Sequence, residues 1–522
     1  MLRRRRLLLA MTGNSIKMGR VIVFLTTVIS IIAIYLSYNA GVMVAYNDAA
    51  AHLNTARRMI DNLTPGVVQI GSVWLPLLHL AELPFVANFW MWKTGLAGAA
   101  VSSISFILGT FFLYKLSYYI TKNNWIAFFA CLLYITNVNL LYVQTTAMFE
   151  PLLMGLAITA IYFMTRWAKE RAINDLILSA FFIMLATLTR YDGWALFLAS
   201  IVFVAFTSFF IIKKKAEGSL IIFIFLAGFG ICLWLLYNGL IFGDPLFFSR
   251  SEYSAAAQQE ILYERGQLAT KKDIFLSFQT YSIAMILNIG YIVVGLMVVG
   301  ILLYILGEWK QAGFLAPLLL TIPYAFNIVS LYMGQSVIWL PMVPPHFDTY
   351  FNARYGILML PAAAFFGGYI ARYRIGRIAI VVLLAIQIFL FAHPKQHVVF
   401  GKEIGIITLQ DTVSSINAQT VAASTYLREH HDGKLIMVSS ASADAFIFRA
   451  ALPLRYFITE GTGYYWRNSL EDPRRHAGWI VFFQDKSDRV GKVVSTSPIL
   501  KDHYENVYND TTYQIWKLKP ST

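Results

Sequence analysis

The sequence predicts a mainly α, polytopic membrane protein of about eleven transmembrane helices, followed by a small exterior α/β domain. Three observations predict it: the composition, the recurrence of long apolar runs, and the placing of basic residues between them. Mean hydropathy is +0.60, with 58% hydrophobic and 13% charged residues. A soluble domain carries about a quarter charged residues, so the bulk of this chain belongs in lipid.

Runs long enough to cross roughly 30 Å of hydrocarbon, about 20 helical residues each, begin near Val21, Gly95, Trp125, Pro151, Leu176, Trp194, Leu220, Tyr281, Phe314, Tyr355 and Ile378. The run from Leu176 is short. Arg3 to Arg6, Lys17 and Arg20 precede the first run; Lys115 and Lys122 follow the second; Arg166, Lys169 and Arg171 follow the fourth. Lys213 to Lys215 follow the sixth, Lys310 the eighth, and Arg372, Arg374 and Arg377 the tenth. Every second connection is basic, which is the positive-inside pattern of a multi-pass protein of the cell membrane with a cytoplasmic N-terminus. The formal charge of +14 is then topological and calls for no nucleic acid. The first run exceeds a signal-peptide core and lacks a clear small-residue cleavage site, so it is expected to remain as an anchor.

An odd number of spans places the polar tail outside. The chain is expected to divide into a membrane domain, residues 1–392, and an exterior domain, residues 393–522. In the tail Val413, Ile416, Ala423 and Leu427 share a helical face, while Leu435 to Val438, Trp479 to Phe483 and Tyr513 to Leu518 read as strands. Both cysteines, Cys131 and Cys232, fall in expected spans, so the exterior domain holds no disulfide.

This topology gathers the acids near span ends on the outer face: Asp48, Glu82, Glu150, Asp192 beside Arg190, and the loops Asp244 to Asp273 and Gln335 to Arg354. A carboxylate at a membrane surface needs water or a partner, because burying it unpaired costs several kcal/mol. In the first outer loop Ala49, Leu53, Ala56 and Ile60 form an apolar stripe of a helix, with His52, Thr55, Arg58 and Asp61 on other faces. Such a helix is expected to lie along the membrane surface. Thr64-Pro65-Gly66 ends it, and Gln69 to Leu77 turns the chain back towards the bilayer.

At this point the chain resembles the polyprenyl-phosphate-dependent glycosyltransferases of the GT-C superfamily, which includes protein O-mannosyltransferases and aminoarabinose transferases. The matching features are Asp48 after the first span, the helix that follows it, and the turn from Gly71 to Pro76. Further matches are Thr146-Ala147-Met148-Phe149-Glu150-Pro151, Thr189-Arg190-Tyr191-Asp192-Gly193, and Asn352-Ala353-Arg354-Tyr355-Gly356 followed by Pro361. The resemblance implies a GT-C fold and inverting transfer of a mannose-like or other hexose or pentose from a polyprenyl-phosphate donor to an external protein, lipid or polysaccharide. One departure bears on the acceptor: O-mannosyltransferases carry adjacent Asp and Glu after the first span, where this chain has Asn47-Asp48.

In such a transfer a carboxylate takes the acceptor proton and cations stabilise the departing phosphate. Asp48 fits the base; its other reading is a helix N-cap with Asn47. His52, one turn away, either contacts Asp48 or the donor phosphate, or is polar filling. Glu150 is a supporting acid or a favourable charge in a first helical turn. Arg190 and Asp192 bind and support the donor, or neutralise each other at a span end. Arg354 offers a forked phosphate donor set, or anchors its span at the headgroups; Arg250 is a weaker version of the same idea.

His346-Phe347-Asp348 offers two metal ligands without a visible third, so no metal is expected. The chain has no Walker loop, dinucleotide fingerprint or HExxH motif, so no cofactor is expected. Two rivals stay open. A transporter or lipid flippase would place polar residues near the midplane and often repeat one half. A ligase of the oligosaccharyltransferase or O-antigen type would share the outer site but use a polyprenyl-diphosphate donor.

Overall fold

The computed structural model describes residues 2–213, 216–252, 254–406, 418–484 and 488–520; Lys214, Lys215, Val413 and Ile416 lie outside the described residues. Among the described residues six helices are long and apolar enough to cross a membrane: Lys17–Asn39, Leu96–Thr121, Phe149–Glu170, Tyr191–Ile211, Ala216–Phe242 and Tyr291–Glu308. Shorter apolar helices of 10–17 residues stand between them and, at Ala316–Tyr332, after the last of them. The chain is a multi-pass membrane protein.

The segment read as one span from Tyr281 is two helices, Ile274–Ile289 and Tyr291–Glu308, broken at Gly290. Gly290 has φ +89°, a conformation that L side chains rarely adopt, and a Cβ there would stand 2.4 Å from the Gln387 amide. Gln387 fills the gap in the hydrogen-bond ladder: its Nε2 donates to the Ile289 carbonyl at 2.9 Å and its Oε1 accepts from the Val293 N–H at 3.1 Å. One side chain thereby satisfies backbone groups that a break inside hydrocarbon would leave unpaired. The span from Tyr355 likewise opens with a tight 3-10 segment, Ala353–Met359, before the helix Leu360–Tyr369.

The chain forms two compact units. The first comprises Met1–Leu36, Ser102–Thr145 and Phe149–Thr408. Its core is the Leu360–Tyr369 helix, every residue of which is buried. The run Ala362-Ala363-Ala364 and the pair Gly367-Gly368 explain the location, because small residues let neighbouring backbones approach. A Cβ on Gly368 would meet Ala130 backbone at 2.5 Å, and one on Gly300 would meet the Phe366 carbonyl at 1.9 Å.

The second unit comprises Ser37–Val101, Thr146–Met148 and Leu409–Thr522, so the loop after the first span and the C-terminal tail belong to one body. The tail carries a five-stranded sheet, ordered β2-β1-β3-β5-β4, with β1 Leu435–Met437, β2 Phe457–Ile458, β3 Ala477–Phe483, β4 Tyr504–Asn509 and β5 Tyr513–Leu518. β2, β1 and β3 are parallel, while β5 pairs antiparallel with both β3 and β4. Met437, Ile458, Ile480, Phe482 and Tyr504 pack into its core. The helix Ala418–His430 buries Ala423 and Leu427, as the tail's apolar spacing requires.

The close crossing at Gly300 yields a direct expectation. Gly300→Val should destabilise the detergent-purified protein by about 1–3 kcal/mol through overpacking, seen as a lower thermal midpoint. Gly295→Ala, where an added methyl meets nothing within 4 Å, should leave the midpoint unchanged or raise it; equal effects would contradict the packing.

Candidate functional site

The residues singled out from the sequence fall into two groups, one in each unit. In the second unit the helix Asn47–Arg58 has Tyr46 at its N-cap and Asp48 in its first turn, where the positive end of the helix dipole favours an acid. Asp48 is half-buried. The helix itself is buried on nearly all sides, His52, Asn54, Thr55 and Arg57 included. Surface amphipathicity gives way here because the C-terminal α/β region and the Leu77–Val86 helix cover the faces read as polar.

The covering contacts are charged and specific. Asn54 Nδ2 donates to the Asp444 carbonyl at 2.9 Å and to its Oδ1 at 3.1 Å, and Arg58 stands 3.5 Å from Asp444 Oδ2. Asp61 accepts from Arg455 Nε at 2.8 Å and from the Leu454 N–H at 3.3 Å, and pairs with Arg57 at 2.9 Å. Gln69 Nε2 reaches the Gly461 carbonyl at 2.9 Å. Burial pushes the Asp444 carboxyl above its ordinary range, against the opposing pull of Arg58 and Asn54.

One turn after Asp48, His52 places Nδ1 3.2 Å from Nε2 of His79, and its ring meets Trp74 edge-on with centroids 4.5 Å apart. Of the two facing nitrogens, one carries the proton and the other accepts it. His79 belongs to the helix Leu77–Val86, whose ten residues span about 15 Å, half of a bilayer core, and so form no span. Burial, then His52 and Arg58, hold His79 well below the usual imidazole range, so it is neutral. Three residues on, Glu82 is fully buried, and among the described residues neither carboxyl oxygen meets a hydrogen-bond donor. Burial raises its pKa well above the carboxylate range.

The second group assembles inside the first unit and joins three motifs far apart in sequence. Glu150 Oε1, fully buried, accepts from Arg190 at 3.0 Å and from Arg354 Nε at 3.3 Å. Arg190 also pairs with Asp192 at 3.0 Å, and Asp192 accepts from Asn327 at 3.0 Å. Arg354 donates its backbone N–H to Glu403 at 3.1 Å and its guanidinium to Asn352 at 3.0 Å. The Tyr355 ring lies against both guanidiniums, 4.7 Å from Arg190 and 5.1 Å from Arg354. Two arginines thus flank one carboxylate, each already engaged by protein acceptors. Arg250 stands elsewhere, exposed and paired with Asp244 at 3.3 Å.

His79, Arg58, Asn54, Asp444 and Glu403 escape a reading of the sequence. For His79 a signal existed: together with Glu82 it interrupts an otherwise apolar helix at a spacing of one turn. For Asp444 and Glu403 no local signal exists, since their partners lie hundreds of residues away or across a motif boundary. Among the described residues no three His, Cys, Asp or Glu side chains are grouped to hold a metal ion.

No family model matches the chain, and no curated protein does. Solved structures match in fold. ArnT from Cupriavidus metallidurans bound to undecaprenyl phosphate aligns over 94% of this chain and 97% of its own, with TM-score 0.59 and 11% identity. The same protein in the apo state aligns over 90% and 92%, with TM-score 0.50 and 13% identity. The archaeal oligosaccharyltransferase AglB from Archaeoglobus fulgidus, in complex with an inhibitory peptide and a dolichol-phosphate, aligns more loosely, over 89% and 69%, with TM-score 0.47 and 12% identity. The chain therefore shares the fold of ArnT over nearly its whole length.

Glu82 supplies a test of the buried cluster. Its raised pKa keeps the folded carboxyl neutral while the unfolded chain ionises, so the native state loses stability as pH rises above the ordinary glutamate range towards the folded pKa. Glu82→Gln cannot ionise. Its thermal midpoint relative to the parent should therefore increase between about pH 5 and about pH 8; a pH-independent difference would contradict a neutral Glu82.

Proposed function

We propose that this chain is an integral-membrane glycosyltransferase that moves a sugar from a polyprenyl-phosphate donor to an acceptor outside the cytoplasm, inverting the anomeric centre. The observation that carries this reading is the GT-C fold over nearly the whole chain, with an acid in the first turn of the helix that follows the first span. ArnT, the neighbour with that fold, is bound to undecaprenyl phosphate, which favours a monophosphate lipid as leaving group.

The chemistry follows from the residues. The acceptor oxygen attacks the anomeric carbon from the face opposite the phosphate, and the Asp48 carboxylate takes its proton. The carbon–oxygen bond to phosphate breaks with its electron pair on oxygen, so the lipid phosphate gains one negative charge. Arg354 and Arg190 answer that charge. Their engagement with Glu150 holds the guanidinium forks in place, and a phosphate competes with the carboxylate for them. Glu150 and Asp192 are supporting acids that keep the arginines oriented. His52, bonded to neutral His79, binds the donor phosphate as a hydrogen-bond donor and fixes the first turn beyond Asp48. Residues 1–392 form the membrane-embedded catalytic part and the cytoplasm holds the N-terminus in this reading.

Asp48→Asn retains size and helix-terminal compatibility but lacks a usable base. Sugar transfer by the purified variant should fall roughly 100-fold or more, with donor binding and thermal stability preserved. Near-normal transfer would remove Asp48 as the base and turn attention to Glu150.

A further inference from the structure

Between the first and second spans of the first unit lies a crevice of about 970 Å³, at the upper end of the roughly 300–1,000 Å³ typical of small-ligand sites. Its walls are apolar and aromatic along most of their length, with Phe24, Ile104, Leu108 and Phe111 among the lining side chains. Phe24 and Ile104 are exposed at 67% and 57%, so both present greasy surface that a membrane environment must cover. The two helices run in opposite directions, and the crevice therefore ends where the first span begins and the second finishes.

That end is basic. Arg20, Lys115 and Lys122 line it, all exposed, and among the described residues none forms an ion pair with a carboxylate. The lysines are held against rings: Lys115 Nζ lies 5.2 Å from the Phe111 centroid, and Lys122 Nζ lies 4.4 Å from that of Tyr119. Glu170, the nearby acid, is engaged by Arg166 at 3.1 Å and by the Tyr119 hydroxyl at 2.8 Å. An apolar slot closed at one end by cations, of which Lys122 alone feels the charge of Glu170, has the charge and polarity pattern of a lipid turned around: acyl chains along the slot, phosphate at the cations.

We infer that this crevice is a binding site for an anionic glycerophospholipid of the basic-side leaflet, whose phosphate is held by Arg20, Lys115 and Lys122 and whose chains lie along the first two spans. The site is separate from the charged groups assigned to sugar transfer and does not depend on that assignment. A zwitterionic lipid fills the same slot but gains little at the cations, since its own ammonium opposes them. Each cation beside an anionic headgroup is worth about a fivefold preference, so the site discriminates headgroups instead of merely being wetted by lipid.

The test uses the full-length purified protein, delipidated in a mild detergent and supplied with dioleoyl-phosphatidylglycerol or dioleoyl-phosphatidylcholine. Bound lipid is counted by native mass spectrometry and the thermal midpoint is followed in parallel. Phosphatidylglycerol should be retained preferentially and raise the midpoint. Lys115→Gln with Lys122→Gln should reduce that preference roughly tenfold or more, whereas Leu108→Trp, which keeps every cation but fills the slot, should reduce retention of both lipids. Equal retention of the two lipids by the parent protein would overturn the inference, and so would an unchanged preference in the double lysine variant or an unchanged retention of both lipids by Leu108→Trp. Displacement of phosphatidylglycerol by inorganic phosphate alone would also overturn it, by showing an anion site without a lipid slot. If the double lysine variant fails to fold, Leu108→Trp and Arg20→Gln decide the matter by the same two readouts.

Discussion

Charge inside an apolar bundle has to be neutralised where it stands, and Glu150 is where the first unit meets that demand. Fully buried at the start of its helix, it draws Arg190 and Arg354 onto one oxygen. Leaving such a carboxylate unpaired costs several kcal/mol, so the interaction ties together the ends of the helices that carry the three motifs. Asp192, Asn352 and Glu403 then engage further guanidinium positions, and Asn327 donates to Asp192 in turn. The same arrangement that makes the bundle self-consistent also holds two forked cations in fixed orientation, which is what recognition of a phosphate requires.

The second unit solves a different problem. A twelve-residue helix bearing Asp48 is marginal by itself, and its polar faces would ordinarily face water. Asn54, Arg58 and Asp61 instead tie it to Asp444, Arg455 and Leu454 of the C-terminal α/β region. Below it His52 bonds His79 beside Trp74. The tail is therefore more than an appendage: its side chains set the pose of the helix on which the proposed base stands. With His79 neutral and the fully buried Glu82 neutral, the short apolar helix that carries them bears no ionic charge at either position.

Much of this was legible in the sequence, and the failures have physical causes. Composition and basic connections suffice for a multi-pass bundle, while continuous apolar runs mark β1 and β3 and an alternating pattern marks β5. β2 is two residues long, too short to show a period, and β4 carries mostly exposed or half-buried side chains, so neither stands out. The break at Gly290 hides because the flanking residues are mostly apolar, and the side chain that completes it, Gln387, is distant in sequence. Motif reading collected Glu150, Arg190, Asp192 and Arg354 as separate items of one face, and geometry shows that they form one network. Arg250 shares their charge but not their neighbourhood, a distinction that residue type alone does not carry. The surface helix was visible from its apolar stripe, whereas its burial depends on Asp444 and Arg455 about 400 residues away.

Purified protein given a polyprenyl-monophosphate sugar and, separately, a polyprenyl-diphosphate sugar tests the proposed transfer most directly, with release of the free lipid phosphate as the readout. The proposed transfer, with Arg190 and Arg354 as its proposed phosphate cations, predicts consumption of the monophosphate donor with release of polyprenyl phosphate. Consumption of the diphosphate donor alone, or of neither by folded protein, would contradict it.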